Sequence, residues 1–381
     1  MIGRNKLDPD QNQFLDQVAT TGSRNNYWIS GFAGSGKSVL IVAALIQAKK
    51  DNTNLNMCVV LYTHSLIDLI RSGIPPDLGH VPVKTFYQFR KDPASYDLIL
   101  VDEIQDLPPE DIRKMRQQCK QLIMAGDDAQ SIYDDRVDPT QLPDIAGAER
   151  FPLTIIHRLP RNIVRLAKKI FPGKGLEDAK QDVSATVEPR IVEADTAADE
   201  VEYVWDRATR HAEPGEPSAI LLPRHSDIVS FVNEVLRQEG ASAWSVTKNQ
   251  WGKNNYHVLN EHLQSVGLKL RYLGNRYGRL KDADNEERVF IMTYHSVKGL
   301  DFEAVFIPRL NRRTTIWRDE ERARTLFYVA FTRSRRDLYL SYSGTPHPFL
   351  SQIPDVGVHK VTVPEPESEA STDDPFDEIV F

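Results

Sequence analysis

The sequence predicts an α/β protein with mainly parallel sheets, and three observations carry that prediction. Short runs rich in β-branched and aromatic residues alternate with stretches of helical periodicity from Tyr27 to about Tyr342, the pattern of strands joined by crossover helices. The stretch "SIYDDRVDPTQLPDIAG" is rich in Asp and Pro and marks a junction near residue 147, so two units are expected. The octapeptide "GFAGSGKS", residues 31–38, follows a strand-like run and opens a helical one, where a parallel α/β unit puts a phosphate-binding turn.

In chain order, "YWIS", "MCVVLYT", "YDLILV" and "QLIMAG" read as the strands of a first domain, residues 1–147. "RIVEA", "SAILLP", "RVFIMTY", "AVFIP" and "DLYLSY" read as those of a second, residues 148–345. Helices are expected between them, for example "SVLIVAALIQAKK" and "SDIVSFVNEVLRQEG". Segments 228–246 and 256–273 read as two successive helix–strand units. Residues 346–381 form an extension whose acidic end lacks the apolar content to order itself.

Composition narrows the class. At 381 residues, 40% hydrophobic and 27% charged, the chain can bury a sizeable core. No apolar run is long enough to span a bilayer, and "MIGRNKLDPDQ" lacks the apolar core of a signal peptide. Cys58 and Cys119 are too few for a disulfide framework or a zinc site. A cytoplasmic protein without membrane partners is therefore expected. The net charge of −7 does not argue against nucleic acid: the last eighteen residues carry seven acids and no base, leaving residues 1–363 neutral.

"GFAGSGKS" fits the pattern G-x-x-x-x-G-K-[ST]. Gly31, Ala33, Gly34, Ser35 and Gly36 offer backbone N–H groups to phosphates, Lys37 reaches the β/γ-phosphates, and Ser38 holds Mg²⁺. "LILVDE" supplies the complementary half. Adjacent residues at a strand tip point to opposite sides, so Asp102 is expected on Mg²⁺ and Glu103 as the general base toward the attacking water. The cofactors expected are ATP and Mg²⁺.

With these two motifs as anchors, the ordered series from about Leu7 to about Leu340 resembles superfamily 1 helicases of the UvrD/Rep type. "LDPDQNQFL" resembles the Q motif, with Gln11 reading adenine; "GFAGSGKS" and "LILVDEIQD" resemble motifs I and II. "MAGDDAQSIY" resembles motif III, with Gln130 sensing the γ-phosphate and Tyr133 facing nucleic acid. "LTIIHRLPRNIVRLA" resembles motif IV, with Arg158 on the γ-phosphate; "VFIMTYHSVKGLDFEAVFI" resembles motif V, with Asp301 toward the ribose. "RTLFYVAFTRSRRDLYL" resembles motif VI, with Arg333 as the arginine finger. The resemblance implies two RecA-like P-loop domains with the ATP cleft between them, and 3′→5′ movement along single-stranded DNA.

The same resemblance implies nucleic-acid contacts from "LYTHS" (Tyr62, Thr63, His64), "KTFYQF" (Thr85, Phe86), Tyr133, Thr293 and His295. Small hydroxyls suit phosphates and aromatics suit bases. The run "LKLRYLGNRYGRLK", residues 268–281, reads either as an added nucleic-acid surface or as a solvated basic face. Several positions depart from the family pattern: His157 stands where a tyrosine stacks on adenine, Asp135 where an aromatic follows motif III, and "KGLDF" where "KGLEF" is usual. The intervals from Thr85 to Asp102 and from Arg158 to Thr293 are too short for the family's usual inserted subdomains. A two-domain translocase or helicase is expected, with an ATP-gated regulatory subunit of a nuclease or repair complex as the alternative. The acidic tail "DDPFDEIVF" is a candidate docking segment for a protein partner.

Overall fold

The computed structural model describes residues 4–20, 25–62, 65–132, 137–172, 176, 180–181, 187–274, 277–353 and 357–364. Its first half supplies α1 (Pro9–Thr20), β1 (Asn26–Gly31), α2 (Lys37–Asp51), β2 (Met57–Leu61), α3 (Ser65–Gly73), β3 (Val83–Thr85), α4 (Phe86–Lys91), β4 (Tyr96–Val101), α5 (Pro109–Gln117), β5 (Cys119–Gly126), α6 (Leu142–Ala146) and β6 (Ala148–Leu153). The second supplies β7 (Ile155–Ile156), α7 (Arg161–Ile170), β8 (Lys180–Gln181), β9 (Arg190–Ala194), α8 (Ala197–Arg210), β10 (Ser218–Leu222), α9 (His225–Gln238), α10 (Tyr256–Ser265), β11 (Leu270–Tyr272), β12 (Val289–Thr293), β13 (Phe302–Ile307), α11 (Glu320–Phe331), β14 (Ser334–Ser343) and β15 (His359–Val363).

Two large parallel sheets result, beside a two-stranded parallel pair of β7 and β8. The first runs β3-β2-β4-β5-β1-β6 and the second β11-β12-β10-β13-β14-β9-β15. Their central strands read as continuous apolar runs because both faces are covered. Along β1, Trp28 enters one core and Ile29 the other; along β10, Ala219 and Leu221 face one side while Ile220 and Leu222 face the opposite side. These are the two RecA-like domains that the resemblance implies. One apolar cluster joins them, since Ala33, Ala129 and Ile132 of the first pack with Val297, Leu300 and Phe302 of the second.

Three expectations about boundaries are corrected. β6, placed in the second unit by a break at residue 147, pairs with β1 along its whole length and closes the first sheet. β6 is thus the edge strand of the first sheet. β15 lies in what was read as an extension, yet it pairs with β9 and completes the second sheet. Residues 241–246 form no strand after α9, whereas 270–272 do after α10, so only the second helix–strand unit is real. Gly240, with φ 66°, ends the helix, and the chain after it packs Trp244 into the core without pairing as a strand.

No helix among the described residues is long and apolar enough to cross a membrane. The acidic segment beyond Pro364 and residues Thr63, His64, Tyr133 and Asp135 lie outside the described residues.

Candidate nucleotide cleft and nucleic-acid edge

The turn between β1 and α2 is built around left-handed glycines. Gly34 has φ 76° and Gly36 φ 83°, conformations that side chains rarely adopt. The neighbours impose the same residue type: a Cβ on Gly34 would lie 2.9 Å from the Arg158 Cβ, and one on Gly36 would lie 2.4 Å from the Gln11 Nε2. Gln11 is buried, donates to the Ser35 carbonyl at 3.1 Å and accepts from the Asp8 N–H at 3.2 Å. Its amide thus braces the turn. Lys37 lies over the turn, its Nζ donating to the Gly31 and Phe32 carbonyls at 2.7 and 2.8 Å. The buried Ser35 Oγ has no partner among the described residues. A turn of backbone donors with a lysine, an unpartnered hydroxyl and a helix N-terminus behind it is suited to phosphate oxygens.

At the tip of β4, Asp102 and Glu103 diverge. Asp102 accepts a hydrogen bond from the Ser38 Oγ at 2.5 Å. Burial, and then the charge of Glu103, push its carboxyl up to about 6. Glu103 takes a left-handed backbone, φ 57°, and turns into the cleft. Burial works against its charge, but Lys298, Lys37 and Arg333 hold the carboxyl below the usual glutamate range. Gln105 donates to it at 2.5 Å. No group of three His, Cys, Asp or Glu among the described residues forms a metal site on its own. Ser38 and Asp102 would instead hold a divalent cation, and the half-buried hydroxyl paired with the buried carboxylate fits that role.

The second domain completes a cleft of about 750 Å³. Arg333 is buried, donates to the Gln130 Oε1 at 2.9 Å, and is lowered to about 10 by burial and then Arg158, so it remains cationic at neutral pH. Arg158 lies 3.3 Å from Asp301, which also pairs with Arg335. Asp301 is therefore clasped by two guanidiniums. His157 sits against the turn through its N–H to the Gly34 carbonyl, 3.0 Å, and its ring meets Asp8 at 2.5 Å.

A family model described as "UvrD-like helicase C-terminal domain" matches residues 247–345, and one described as "Viral superfamily 1 RNA helicase core domain" matches residues 27–202. Between them they take in both halves of this cleft. Together the two matches support a superfamily 1 helicase of UvrD-like type. Curated relatives include "DNA helicase II" of Rickettsia typhi, 29% identical over 122 residues, and "Probable DNA helicase II homolog" of Rickettsia conorii, 30% identical over 122 residues. Each alignment covers 27% of this chain and 17% of the relative. Among solved structures, "The structure of PRRSV helicase" matches with TM-score 0.46 and 14% identity, covering 86% of this chain and 54% of that one. "Crystal structure of Arterivirus nonstructural protein 10 (helicase)" matches with TM-score 0.43 and 16% identity, covering 87% and 61%.

The helicase motifs expected to face nucleic acid lie where β2, β3 and β12 end, and burial separates them. Tyr62 is partly exposed and stacks on Phe86, ring centroids 5.2 Å apart. Phe86 itself is only 2% exposed, so it backs Tyr62 as core rather than offering a face to a base. The exposed aromatic of that segment is its neighbour Tyr87, at 53%. Thr85 is buried as the N-cap of α4, accepting from the Gln88 N–H at 3.3 Å. Thr293 is buried and caps the next turn by accepting from the Ser296 N–H at 3.1 Å. His295 packs beside Trp317, ring centroids 5.2 Å apart; burial and then Arg322 lower it to about 4, so its ring is neutral at physiological pH. In the run 268–281, Lys269 pairs with Glu287, Arg279 with Asp282, and Arg271 with the Leu268 and Leu270 carbonyls. These contacts favour the solvated basic face.

Sequence reasoning missed Lys298. It is almost fully buried and crosses from the second domain to the first, with its Nζ 2.7 Å from Asp106, 3.7 Å from Glu103 and 2.5 Å from the Gln130 carbonyl. It lies within motif V, but only the fold brings a lysine 192 positions after Asp106 into contact with it. Arg335 lies within the motif VI stretch but was not singled out, for the same reason.

Proposed function

We propose that this helicase-family protein is an ATP-dependent translocase or helicase on single-stranded DNA, moving 3′→5′, in which hydrolysis is coupled to closure of the two domains. The first domain extends through Leu153 and the second through Val363. The observation that carries the reading is the meeting of opposite faces at one point: Glu103 and Gln130 of the first domain lie against Lys298 and Arg333 of the second.

In this reading the triphosphate of ATP lies along residues 31–38, and Lys37 leaves its carbonyl partners for the β/γ-phosphates. Ser38 and Asp102 would hold Mg²⁺, which would supply charge neutralisation at the phosphates. Glu103, kept ionised by the surrounding cations, takes the proton of the attacking water. The water oxygen bonds to the γ-phosphorus while the bond to the β–γ bridging oxygen breaks. Arg158 and Arg333 offset charge on the transferring phosphoryl, which requires the cleft to be closed. Opening and closing then alternately loosen and tighten the strand-end edge that carries Tyr62, Tyr87, Thr293 and His295. The protein works in the cytoplasm.

The chain connecting Thr85 to Asp102 consists of α4 and β4 alone, with no inserted subdomain. This favours a motor that tracks a single strand, or an ATP-gated switch within a larger assembly, over an enzyme that opens duplex unaided. Measuring strand displacement on a tailed duplex against directional translocation on a single strand separates these activities. Translocation without displacement is expected, and neither activity, with ATP hydrolysis intact, would favour the switch.

A further inference from the structure

We propose that the loop of residues 246–255 presents Trp251 as a stacking platform for an unpaired base of nucleic acid, extending the track of the second domain beyond Thr293 and His295. Trp251 is 72% exposed, the most exposed of the large hydrophobic side chains among the described residues. Held in water at the tip of an ordered loop, the indole contributes little buried area to the fold and leaves its face open to an occupant.

The loop is built rather than slack. Asn249 organises it: its Oδ1 accepts from the N–H groups of Trp251 and Lys253 at 3.0 and 3.1 Å. Its own N–H donates to the Lys253 carbonyl at 2.8 Å, and Gly252, φ 71°, turns the tip. Lys248 and Asn254 form a bridge closing the base. Below the loop lies an aromatic stack of Tyr256 on Tyr272, centroids 3.6 Å apart, and the Tyr277 hydroxyl accepts from the Asn249 Nδ2 at 3.2 Å.

The loop also stands on the relevant edge. Tyr256 bonds His225 at 2.7 Å, and His225 opens α9 directly after β10. β10 ends in register with β12, Leu222 opposite Thr293. Trp251 therefore continues the line of strand ends that carries Thr293 and His295. Lys248 and Lys253 stand within three residues of Trp251 on either side in the chain; the Lys248 Nζ donates to the Asn254 Oδ1 at 2.6 Å, and neither lysine forms an ion pair among the described residues. An aromatic face between two cations suits a base with its flanking phosphates, with no demand on sequence. A protein partner would find little apolar area here beyond Trp251 and Val246.

The inference rests on the nucleic-acid reading above. It is tested by anisotropy titration of a labelled single-stranded oligonucleotide with the full chain and its Trp251→Ala, Trp251→Phe and Lys248→Ala/Lys253→Ala variants. Trp251→Ala is expected to weaken binding about tenfold and Trp251→Phe to stay within about twofold of the unsubstituted chain. The double lysine variant should flatten the salt dependence by roughly 0.7 in log–log slope for each phosphate that a lysine no longer neutralises. ATP hydrolysis without nucleic acid and the thermal melt should be unchanged in all three. Equal affinity of Trp251→Ala and the unsubstituted chain overturns the inference and leaves the motor standing, as it would if the loop served a protein partner. Failure of the unsubstituted chain to bind any oligonucleotide overturns both.

Discussion

Glu103 takes a left-handed backbone at the end of β4, a conformation that costs a non-glycine residue on the order of 1 kcal/mol or more. The turn directs Asp102 to Ser38 and Glu103 to the opposite wall, so two neighbouring carboxylates receive different partners. Glu103→Gln keeps the shape but not the base. It is expected to bind a fluorescent ATP analogue with near-normal affinity while turnover falls by about 10²-fold or more; normal turnover would contradict the assignment. Lys298 raises a different expectation. Lys298→Met leaves Asp106 buried without its cation and should lower stability by about 3–5 kcal/mol in urea titration. Adding Asp106→Leu should recover much of that loss without restoring stimulation of ATP hydrolysis by single strands. Recovery of both would reduce the pair to a structural role. The motif residues around the phosphate turn were legible because local backbone chemistry fixes their spacing. Lys298 was not, because its partners come from another domain.

At the scale of elements, α4 shows how a motif position can serve the fold. Thr85 and Gln88 form a reciprocal capping box at its start. Thr85→Ala should therefore cost about 1 kcal/mol of stability and Thr85→Ser little. If Thr85→Ala left the urea midpoint unchanged while weakening nucleic-acid binding, the residue would be a contact and not a cap. The long central strands were readable from sequence because parallel strands covered on both faces are uninterrupted apolar runs. β3, β6 and β15 were not. β3 is three residues long, β6 carries Glu149, Arg150 and Pro152, and β15 carries His359, Lys360 and Thr362. All three lie at sheet edges, as β11 also does, where one side needs no partner, which tolerates polar residues and proline. The break near residue 147 was misplaced for this reason: the Asp/Pro-rich stretch is a loop within the first domain, and the strand after it returns to β1.

For the whole molecule, two sheets meet through buried charge and an apolar seam, and the titration of buried histidines bears on that arrangement. Burial, then Arg322, His225 and Lys298, hold His295 down to about 4, against 6.5 when unperturbed. Burial also lowers His211, His225 and His347. Between these values and 6.5 the unfolded chain binds protons that the folded chain refuses, so stability rises with pH across the window and falls as pH drops through it. Melting temperature should decrease from pH 7 toward pH 5, and less steeply in His295→Asn; a flat profile would contradict the burial of these rings. The central claim is that the cleft hydrolyses ATP and that the strand-end edge controls it. Its most direct test is the steady-state ATP hydrolysis rate of the full chain, alone and with single-stranded DNA, single-stranded RNA or duplex. Slow hydrolysis alone, strong stimulation by single-stranded DNA, and loss of both in Lys37→Ala are expected. A rate indifferent to single strands, or one that survives Lys37→Ala, would contradict it.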